Sequence, residues 1–143
     1  MKEQAKKLYD GVNYLAAQIT EKVDNCDVLG VPIGCGVAFK FKGNLADYDY
    51  AIAEALSEVG GWEIVRLQFP SGLFFQAGHG WIDEVDKLII DINKAVKLVL
   101  NDHSKYNTSG MAGVYGTAAS FPDRGIIADT CSIYLDTIHS PQW

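Results

Sequence analysis

The chain has 143 residues and a formal net charge of −6, with 48% hydrophobic and 21% charged residues. This length and composition predict one soluble domain and exclude collagen-like, low-complexity and disordered chains. The acidic balance argues against a nucleic-acid partner, because binding to phosphate backbones depends on clustered basic residues and the longest basic run is Lys6-Lys7. A chain of this size is also small for an enzyme built around a large cofactor.

The first half of the chain predicts two helices and two strands. Apolar residues at steps of three and four predict an amphipathic helix over about 3–23. A short strand is predicted over 28–31, and alternating apolar residues predict a half-buried strand over 37–41. Helical spacing returns over 45–59. The pair Gly60-Gly61 is expected to end that helix, because glycine adopts the left-handed conformation without a Cβ clash.

The second half begins with a predicted antiparallel strand pair. Residues 62–69 alternate in polarity, and an apolar run over 73–77 follows the turn Pro70-Ser71-Gly72. The clearest helix is predicted over 81–101, where apolar residues recur at steps of three and four and acidic residues in the first turn suit the helix dipole.

The last part of the chain predicts a loop and a helix. Residues 103–121 are rich in glycine, serine, threonine and alanine and are predicted to form a long loop. A final helix, with start signals over 120–123, is predicted to end near 138. The complete order predicts an α+β fold in which helices cover a small, mainly antiparallel sheet. No linker or repeat divides the chain, so residues 1–143 are expected to form a single domain.

The cysteines and the N-terminus indicate an intracellular setting. Cys26, Cys35 and Cys131 show no CxxC or Cys/His ligand spacing, which disfavours a disulfide framework and a zinc site. All three are predicted to be small buried or half-buried residues. The N-terminal residues do not form the apolar run of a signal peptide, and no stretch is apolar over the length of a bilayer span. We therefore expect this chain to be cytoplasmic.

Few residues carry a recognisable chemical motif. His79 lies between Gly78 and Gly80, where an exposed imidazole could act as acid, base or phosphate contact, although an ordinary loop histidine is favoured. His103 and His139 lie near predicted helix ends, which favours a structural role. Carboxylate pairs on the helices, such as Asp47/Asp49, are expected to be solvated. The sequence contains no nucleophile motif and no spacing typical of a metal site.

A glycine run near the C-terminus is the main candidate binding element. Gly110, Gly113 and Gly116 have the pattern of a phosphate-cradling loop, because residues without side chains allow backbone N–H groups to approach oxygens. No predicted strand precedes this run, which disfavours a dinucleotide-binding fingerprint. Tyr115 lies within it, and its hydroxyl could donate to an anionic ligand. Packing of the Tyr115 ring is the alternative interpretation.

Several segments together resemble a known family. The run Gly-Met-Ala-Gly-Val-Tyr-Gly-Thr-Ala-Ala at 110–119, followed by Pro122-Asp123-Arg124 and Tyr134-Leu135-Asp136, resembles the C-terminal end of sphingosine-1-phosphate lyases. Gly61-Trp62 and Leu67-Gln68-Phe69-Pro70 look like the Gly-Trp…Leu-Gln-Phe-Pro stretch of that family. These lyases are pyridoxal-phosphate-dependent relatives of the group II amino-acid decarboxylases. The resemblance covers most of the chain and is strongest in its second half.

The resemblance implies the small C-terminal domain of a fold-type I pyridoxal-phosphate enzyme. The family cleaves the C2–C3 bond of phosphorylated long-chain bases, which yields a fatty aldehyde and phosphoethanolamine. Pyridoxal phosphate forms a Schiff base with a lysine of a preceding large domain and serves as the electron sink. Tyr115 matches a family tyrosine thought to reach the substrate phosphate or the reacting centre. The resemblance therefore implies a substrate-binding and catalytic role for Tyr115 in a complete enzyme, with Gly113 and Gly116 as further substrate contacts.

The chain also departs from the family pattern. The cofactor lysine of these lyases directly follows a histidine, whereas the nearest approach here is His103-Ser104-Lys105. The histidine that stacks on the cofactor ring and the aspartate at its ring nitrogen have no counterpart. The resemblance therefore implies that this chain alone binds no cofactor and is inactive. Its expected partners are a large pyridoxal-phosphate-binding domain or second subunit and, in the complete enzyme, a phosphorylated sphingoid-base substrate.

Two hypotheses follow from the sequence. The chain is part of a lyase, which is favoured, or it is a free-standing α+β module that binds a phosphorylated ligand or dimerises. An oligomer is expected, and membrane anchoring of a longer parent protein stays open. The run Leu73-Phe74-Phe75, with Trp62 and Trp81, is a candidate apolar face for a partner to cover. A place in the core is the alternative for most of these side chains.

Overall fold

The computed structural model describes residues 2–32, 34–78, 80, 82–108, 110–120 and 125–139. The helices and strands are α1 (Lys2–Lys22), β1 (Cys26–Val28), β2 (Gly36–Phe41), α2 (Asp49–Gly60), β3 (Val65–Gln68), β4 (Ser71–Gln76), α3 (Val85–Asn101), α4 (His103–Thr108), α5 (Gly110–Ser120) and α6 (Gly125–His139).

The four strands form one antiparallel sheet with the order β1-β2-β4-β3. Gln68 lies opposite Ser71 in the β3–β4 pair, as the predicted turn requires. The first strand begins two residues earlier than predicted, because Cys26 pairs with Phe41. It ends before Gly30, whose φ of +71° interrupts the extended backbone. The predicted α+β fold with a small antiparallel sheet is therefore confirmed.

The hydrophobic core lies on one face of this sheet. Side chains of a strand alternate between its two faces, and the inward set of β2 and β4 is almost fully buried. This set consists of Val37, Phe39, Phe41, Leu73 and Phe75. The buried faces of α1, α2 and α3 join these side chains in a single core. Burying each of these large side chains contributes about 1.5–3 kcal/mol.

The aromatic run considered as a partner-covered face belongs mostly to this core. Leu73, Phe75 and Trp62 are buried, and Phe74 is half-buried. Trp81 lies outside the described residues. The partner-face interpretation is therefore wrong for the three buried side chains, because their own chain covers them.

The second helix, α2, begins later than predicted. A short 3-10 turn covers Gly43–Leu45, and Asp47 has a φ of +68°, which interrupts helical geometry before Asp49. The Asp49 carboxylate accepts the backbone N–H of Phe41 at 2.9 Å and is only 1% exposed, so its predicted solvation is wrong. Burial raises the pKa of this carboxyl group. At the other end, Gly61 has a φ of +68° and its N–H donates to the Ser57 carbonyl, which confirms the predicted helix end.

The predicted loop over 103–121 is wrong, because this segment contains α4 and α5. Gly110, with a φ of +51°, separates the two helices. Tyr106 of α4 and Ala112 of α5 are buried, so packing outweighs the weak helix propensity of the glycines. The final helix is confirmed over Gly125–His139. Ser120, the first of its predicted start signals, is instead the last residue of α5, and residues 121–123 lie outside the described residues.

The three cysteines differ in environment. Cys26 is buried, and burial raises the pKa of its thiol to about 12. Cys35 and Cys131 are exposed, so the prediction that all three are buried or half-buried is wrong for these two. Among the helices of the described residues, none combines the length and the apolar character that a membrane crossing requires.

Candidate functional site

Tyr115 lies on α5, where its half-buried ring contacts two other elements. The ring centroid is 5.8 Å from that of Tyr50 on α2, with an angle of 52° between the rings. The Cζ atom of Arg66 on β3 lies 5.8 Å from the Tyr115 centroid. Tyr50 is itself fixed, since its hydroxyl donates to the Leu67 carbonyl at 2.6 Å. A helix packed on α2 and β3 therefore carries Tyr115, in place of the predicted long loop.

Arg66 is paired with Glu54 of α2. Nη2 of Arg66 lies 2.6 Å from Oε1 of Glu54, and the two side chains are only 13% and 18% exposed. Charge-assisted hydrogen bonds shielded from water are stronger than exposed ion pairs. Oε1 of Glu54 also accepts the N–H of Met111 at 3.0 Å. We call Tyr50, Glu54, Arg66 and Tyr115 the Tyr115 cluster.

Sequence reasoning identified Tyr115 but not the other three members of this cluster. Tyr50 and Glu54 belong to a helical pattern that predicts only a buried and a polar face. Arg66 alternates with apolar residues in a strand, which is typical of a solvated position. No local signal pairs a helix residue with a strand residue twelve positions later. The cluster depends on tertiary contacts, and only the structure reveals it.

Gly113 and Gly116 line an open groove of about 620 Å³ at the junction of α4 and α5. A Cβ atom at Gly116 would meet no heavy atom of the described residues within 4 Å, and one at Gly113 would make ordinary contacts with the backbone of Thr108 and Asn107. The described chain therefore does not require glycine at either position. The groove residues are Asn107, Thr108, Gly110, Ala112, Gly113, Val114 and Gly116.

The structure brings the two glycines together but places Tyr115 elsewhere on α5. Successive residues of a helix are rotated by about 100°, so Tyr115 lies about 200° from Gly113. The Tyr115 ring packs towards α2 and β3, whereas Gly113 and Gly116 line the groove. Since α5 is a helix, the amide of Gly116 has an intrahelical carbonyl as its regular acceptor. The predicted roles of Gly113, Tyr115 and Gly116 in substrate binding stay predictions.

Lys105, the lysine nearest to a His-Lys pattern, is held in an ion pair. Its Nζ lies 2.8 Å from Oε2 of Glu58 and 3.0 Å from the Tyr106 hydroxyl. The hydrogen bond to the Glu58 carboxylate raises the pKa of Lys105 above its usual value. A lysine that forms Schiff bases needs the opposite, a lowered pKa that supplies a neutral amine. Lys105 therefore does not fit the role of a cofactor lysine.

The histidines and the possible metal ligands give no further candidate among the described residues. The His103 ring stacks on Tyr48, with centroids 4.0 Å apart and an angle of 19° between the planes, which fits the predicted structural role. His79 and the side chain of His139 lie outside the described residues. Within the described part of the chain, no group of three or more His, Cys, Asp or Glu residues is arranged to hold a metal ion.

A second buried polar centre links α3 to Trp62. The indole Nε1–H of Trp62 donates to Oδ2 of Asp91 at 3.0 Å, and Nζ of Lys94 lies 3.1 Å from Oδ1. Burial by itself would raise the pKa of Asp91, but the Trp62 and Lys94 hydrogen bonds and the charges of Lys94 and Lys87 together lower it. This centre joins the Gly61-Trp62 motif to the core, and its contacts indicate a structural role.

The chain is similar in sequence and in fold to known proteins. No family model matches the chain. The sphingosine-1-phosphate lyase of Drosophila melanogaster is 26% identical over 139 residues, which are 96% of this chain and 24% of the relative. The sphingosine-1-phosphate lyase 1 of Rattus norvegicus is 26% identical over 140 residues, with the same two coverages. The resemblance to sphingosine-1-phosphate lyases is confirmed.

The sphingosine-1-phosphate lyase of Arabidopsis thaliana is also similar, at 27% identity over 94% of this chain and 22% of that protein. The chain thus spans about a quarter of the length of these curated relatives. A solved structure of a sphingosine-1-phosphate lyase from Burkholderia pseudomallei matches with a TM-score of 0.59 and 15% identity, over 97% of this chain and 25% of that one. At this identity the match establishes a shared fold.

Proposed function

We propose that this chain is the C-terminal small domain of a sphingosine-1-phosphate-lyase-like enzyme. Such an enzyme would cleave a phosphorylated long-chain base to a fatty aldehyde and phosphoethanolamine. One observation carries the proposal: nearly the whole chain is similar to these lyases, but it corresponds to only 24% of their length. The chemistry then depends on a larger part that supplies the cofactor.

Pyridoxal phosphate belongs to that larger part in this proposal. The cofactor needs a lysine with a neutral amine, and Lys105 is held protonated by Glu58 at 2.8 Å. Lys105 therefore does not fit the cofactor lysine, and the larger part is proposed to supply that lysine. The chain by itself is expected to bind no cofactor and to turn over no substrate.

Tyr115 is the residue of this chain proposed to reach the substrate. The phosphate of the substrate needs a hydrogen-bond donor, which the phenol hydroxyl can supply. The Tyr50 ring and the Arg66 guanidinium hold the Tyr115 ring on α5. A ring held in this way binds its ligand at lower entropic cost than one on a mobile loop.

The exposure of the last helix, α6, supports the proposal of a larger partner. Every α6 side chain that the structure describes is exposed, including Ile133 at 66% and Tyr134 at 65%. An exposed row of large apolar side chains is typical of a surface that another polypeptide covers. The same observation supports the second candidate function, a free-standing module that dimerises through α6. The two candidates differ in whether a cofactor-binding polypeptide is needed.

Reconstitution distinguishes these functions. The chain is purified alone and together with a co-expressed cofactor-binding polypeptide from the same source, and aldehyde release from a phosphorylated sphingoid base is measured. We expect no release from the chain alone and release from the combination. Aldehyde release by the isolated, yellow chain would contradict the proposal. A defined dimer that binds phosphoethanolamine saturably, with no effect of the added polypeptide, would favour the module.

The role of Tyr115 has its own test in the reconstituted enzyme. Tyr115→Phe removes only the hydroxyl and is expected to lower kcat/KM at least about tenfold, the loss typical of one hydrogen bond to a charged group. Tyr9→Phe is the matched control, since Tyr9 is exposed on α1, and it is expected to retain full activity. Full activity of the Tyr115→Phe enzyme would overturn the assigned role.

A further inference from the structure

Glu54 connects three elements through a single oxygen atom. Its Oε1 accepts a hydrogen bond from Nη2 of Arg66 on β3 at 2.6 Å and another from the N–H of Met111 on α5 at 3.0 Å. Glu54 itself belongs to α2 and is largely shielded from solvent. One carboxylate therefore joins the first turn of α5 to the helix and the strand beneath it.

The start of α5 is shaped to receive this carboxylate. A Cβ atom at Gly110 would lie 2.6 Å from Oε2 and 3.0 Å from Cδ of Glu54, so any other residue there would force the carboxylate out of this position. The first turn of α5 contains no acidic residue of its own. A negative charge near the N-terminus stabilises a helix through its dipole and its unpaired N–H groups. Glu54 provides that charge from a neighbouring helix.

The same carboxylate also acts on the ring of Tyr115. It holds Arg66, whose Cζ lies 5.8 Å from the Tyr115 centroid, while Tyr50 contacts the ring from α2. Glu54 thus fixes both the helix that carries Tyr115 and the cation against which the Tyr115 ring packs. Tyr115 is five residues after Gly110, so a tilt of the first turn would be transmitted directly to its hydroxyl.

We propose that Glu54 is the positioning residue for Tyr115, acting through the Met111 N–H and through Arg66. Glu54 does not touch substrate in this proposal. It sets the place of the Tyr115 hydroxyl, and misplacement of a catalytic group by about 1 Å can cost a hundredfold in rate. The inference rests on the proposed function of Tyr115 but makes a structural claim that is measurable in the isolated chain.

Nuclear magnetic resonance of the chain tests the structural claim. The Met111 amide and a fluorinated Tyr115 ring report on the native conformation. We expect Glu54→Ala and Glu54→Gln to move both resonances, and Arg66→Gln to move mainly that of Tyr115. The matched control is Glu58→Gln, which lies one turn later on α2 and pairs with Lys105; it is expected to leave both unchanged.

These resonances separate positioning from a general effect on stability. The Met111 amide donates to Glu54, so its resonance reports whether that hydrogen bond is present. The fluorinated Tyr115 ring reports whether the ring has moved, and a residue that only stabilises the fold would change the unfolding free energy and leave this resonance in place. Glu54→Gln keeps the size of the side chain and serves the test if Glu54→Ala does not fold. A Tyr115 resonance of Glu54→Gln that coincides with that of the unaltered chain would overturn the proposal.

Activity in the reconstituted lyase gives the second test. Glu54→Gln is expected to lower kcat/KM about 10- to 100-fold, but to cause little further loss in an enzyme that already carries Tyr115→Phe, because Glu54 acts through Tyr115. Additive losses would overturn the proposal. If Tyr115→Phe alone is fully active, the proposed function fails, whereas the resonance measurements still decide whether Glu54 positions α5.

Discussion

The part of the chain up to α3 and the part after it are stabilised differently. The sheet and the helices α1, α2 and α3 build one core of apolar side chains, to which α4 adds only Tyr106. In the later part, α5 is attached by the Tyr115 cluster, and every described α6 side chain is exposed. The earlier part has the contacts of a self-sufficient domain. The later part instead exposes apolar side chains that, in the proposed enzyme, a larger polypeptide would cover.

The largest effect of this difference is expected for substitutions at two isoleucines, one in each part. Ile52 on α2 is fully buried, whereas Ile133 on α6 is 66% exposed. Ile52→Ala is expected to lower the free energy of unfolding by about 2–5 kcal/mol, because it removes buried surface and leaves a cavity. Ile133→Ala is expected to change it by less than about 0.5 kcal/mol in the isolated chain. Urea unfolding of both variants checks this, and equal losses would contradict the contrast.

The contrast between the two isoleucines is expected to change when the chain binds a larger, cofactor-binding polypeptide. A covered Ile133 would contribute to affinity, so Ile133→Ala would weaken association with the larger polypeptide while leaving the isolated chain intact. Measured dissociation constants for the variant and the unaltered chain check this. Unchanged affinity would show that α6 does not contribute to that interface.

A smaller effect is expected at the buried Asp91. Asp91→Ala leaves the Trp62 indole N–H without its acceptor, which is expected to cost about 1–3 kcal/mol of unfolding free energy. Asp86→Ala on the same helix is the control, since Asp86 is exposed and accepts a hydrogen bond from the Tyr14 hydroxyl, which is also exposed; a loss below about 1 kcal/mol is expected. Similar losses in the two variants would contradict a special role for the Asp91 centre.

The Asp91 carboxylate also predicts how the stability of the chain depends on pH. The folded-state pKa of Asp91 lies below its ordinary value of 3.8. Its ionised form therefore stabilises the fold above the unfolded-state pKa, and this contribution is lost as the pH falls through the folded-state value. We expect the unaltered chain to lose more stability than Asp91→Asn on acidification below about pH 4. Parallel acid-unfolding curves would refute this expectation.

The smallest expected effect is a gain in stability from a substitution at Gly116. A Cβ atom there meets no atom of the described residues within 4 Å, so Gly116→Ala is expected to stabilise the isolated chain by about 0.5–1 kcal/mol through helix propensity. Gly61→Ala is the contrasting variant, since its φ of +68° makes alanine unfavourable by about 1 kcal/mol. Thermal unfolding measures both. Destabilisation by Gly116→Ala would show that the groove is not open to a methyl group.

The two parts also differ in how far the sequence predicts them. Strong apolar periodicity located α1 and α3, and alternation around Pro70-Ser71-Gly72 located the β3–β4 pair. The glycine-rich composition of α5 instead indicated a loop, because its support comes from Glu54, 57 positions earlier in the chain. The pattern predicts a solvated Asp49 for a similar reason, since the N–H that its carboxylate accepts belongs to Phe41 on a strand. Local patterns do not contain such contacts.

The residues of the candidate site also differ in how far the sequence predicts them. Tyr115 was found through a motif that resembles a family, which is information about residue types in order. Glu54 and Arg66 resemble ordinary residues of a helix and a strand, and only their pairing at 2.6 Å distinguishes them. A motif therefore located the candidate substrate contact, whereas its supporting residues required three-dimensional information.

The junction at Gly110 has a consequence for tolerated variation. Its positive φ and the Glu54 carboxylate beside it disfavour other residues for two separate reasons. In a library of all single substitutions, Gly110 should therefore accept few residues under selection for folding alone, with asparagine and aspartate tolerated best. Gly116 should accept alanine under that selection, and it should reject alanine under selection for substrate turnover if it contacts the substrate as the family resemblance implies. The pattern of accepted residues across one short helix would then separate positions constrained by folding from positions constrained by catalysis.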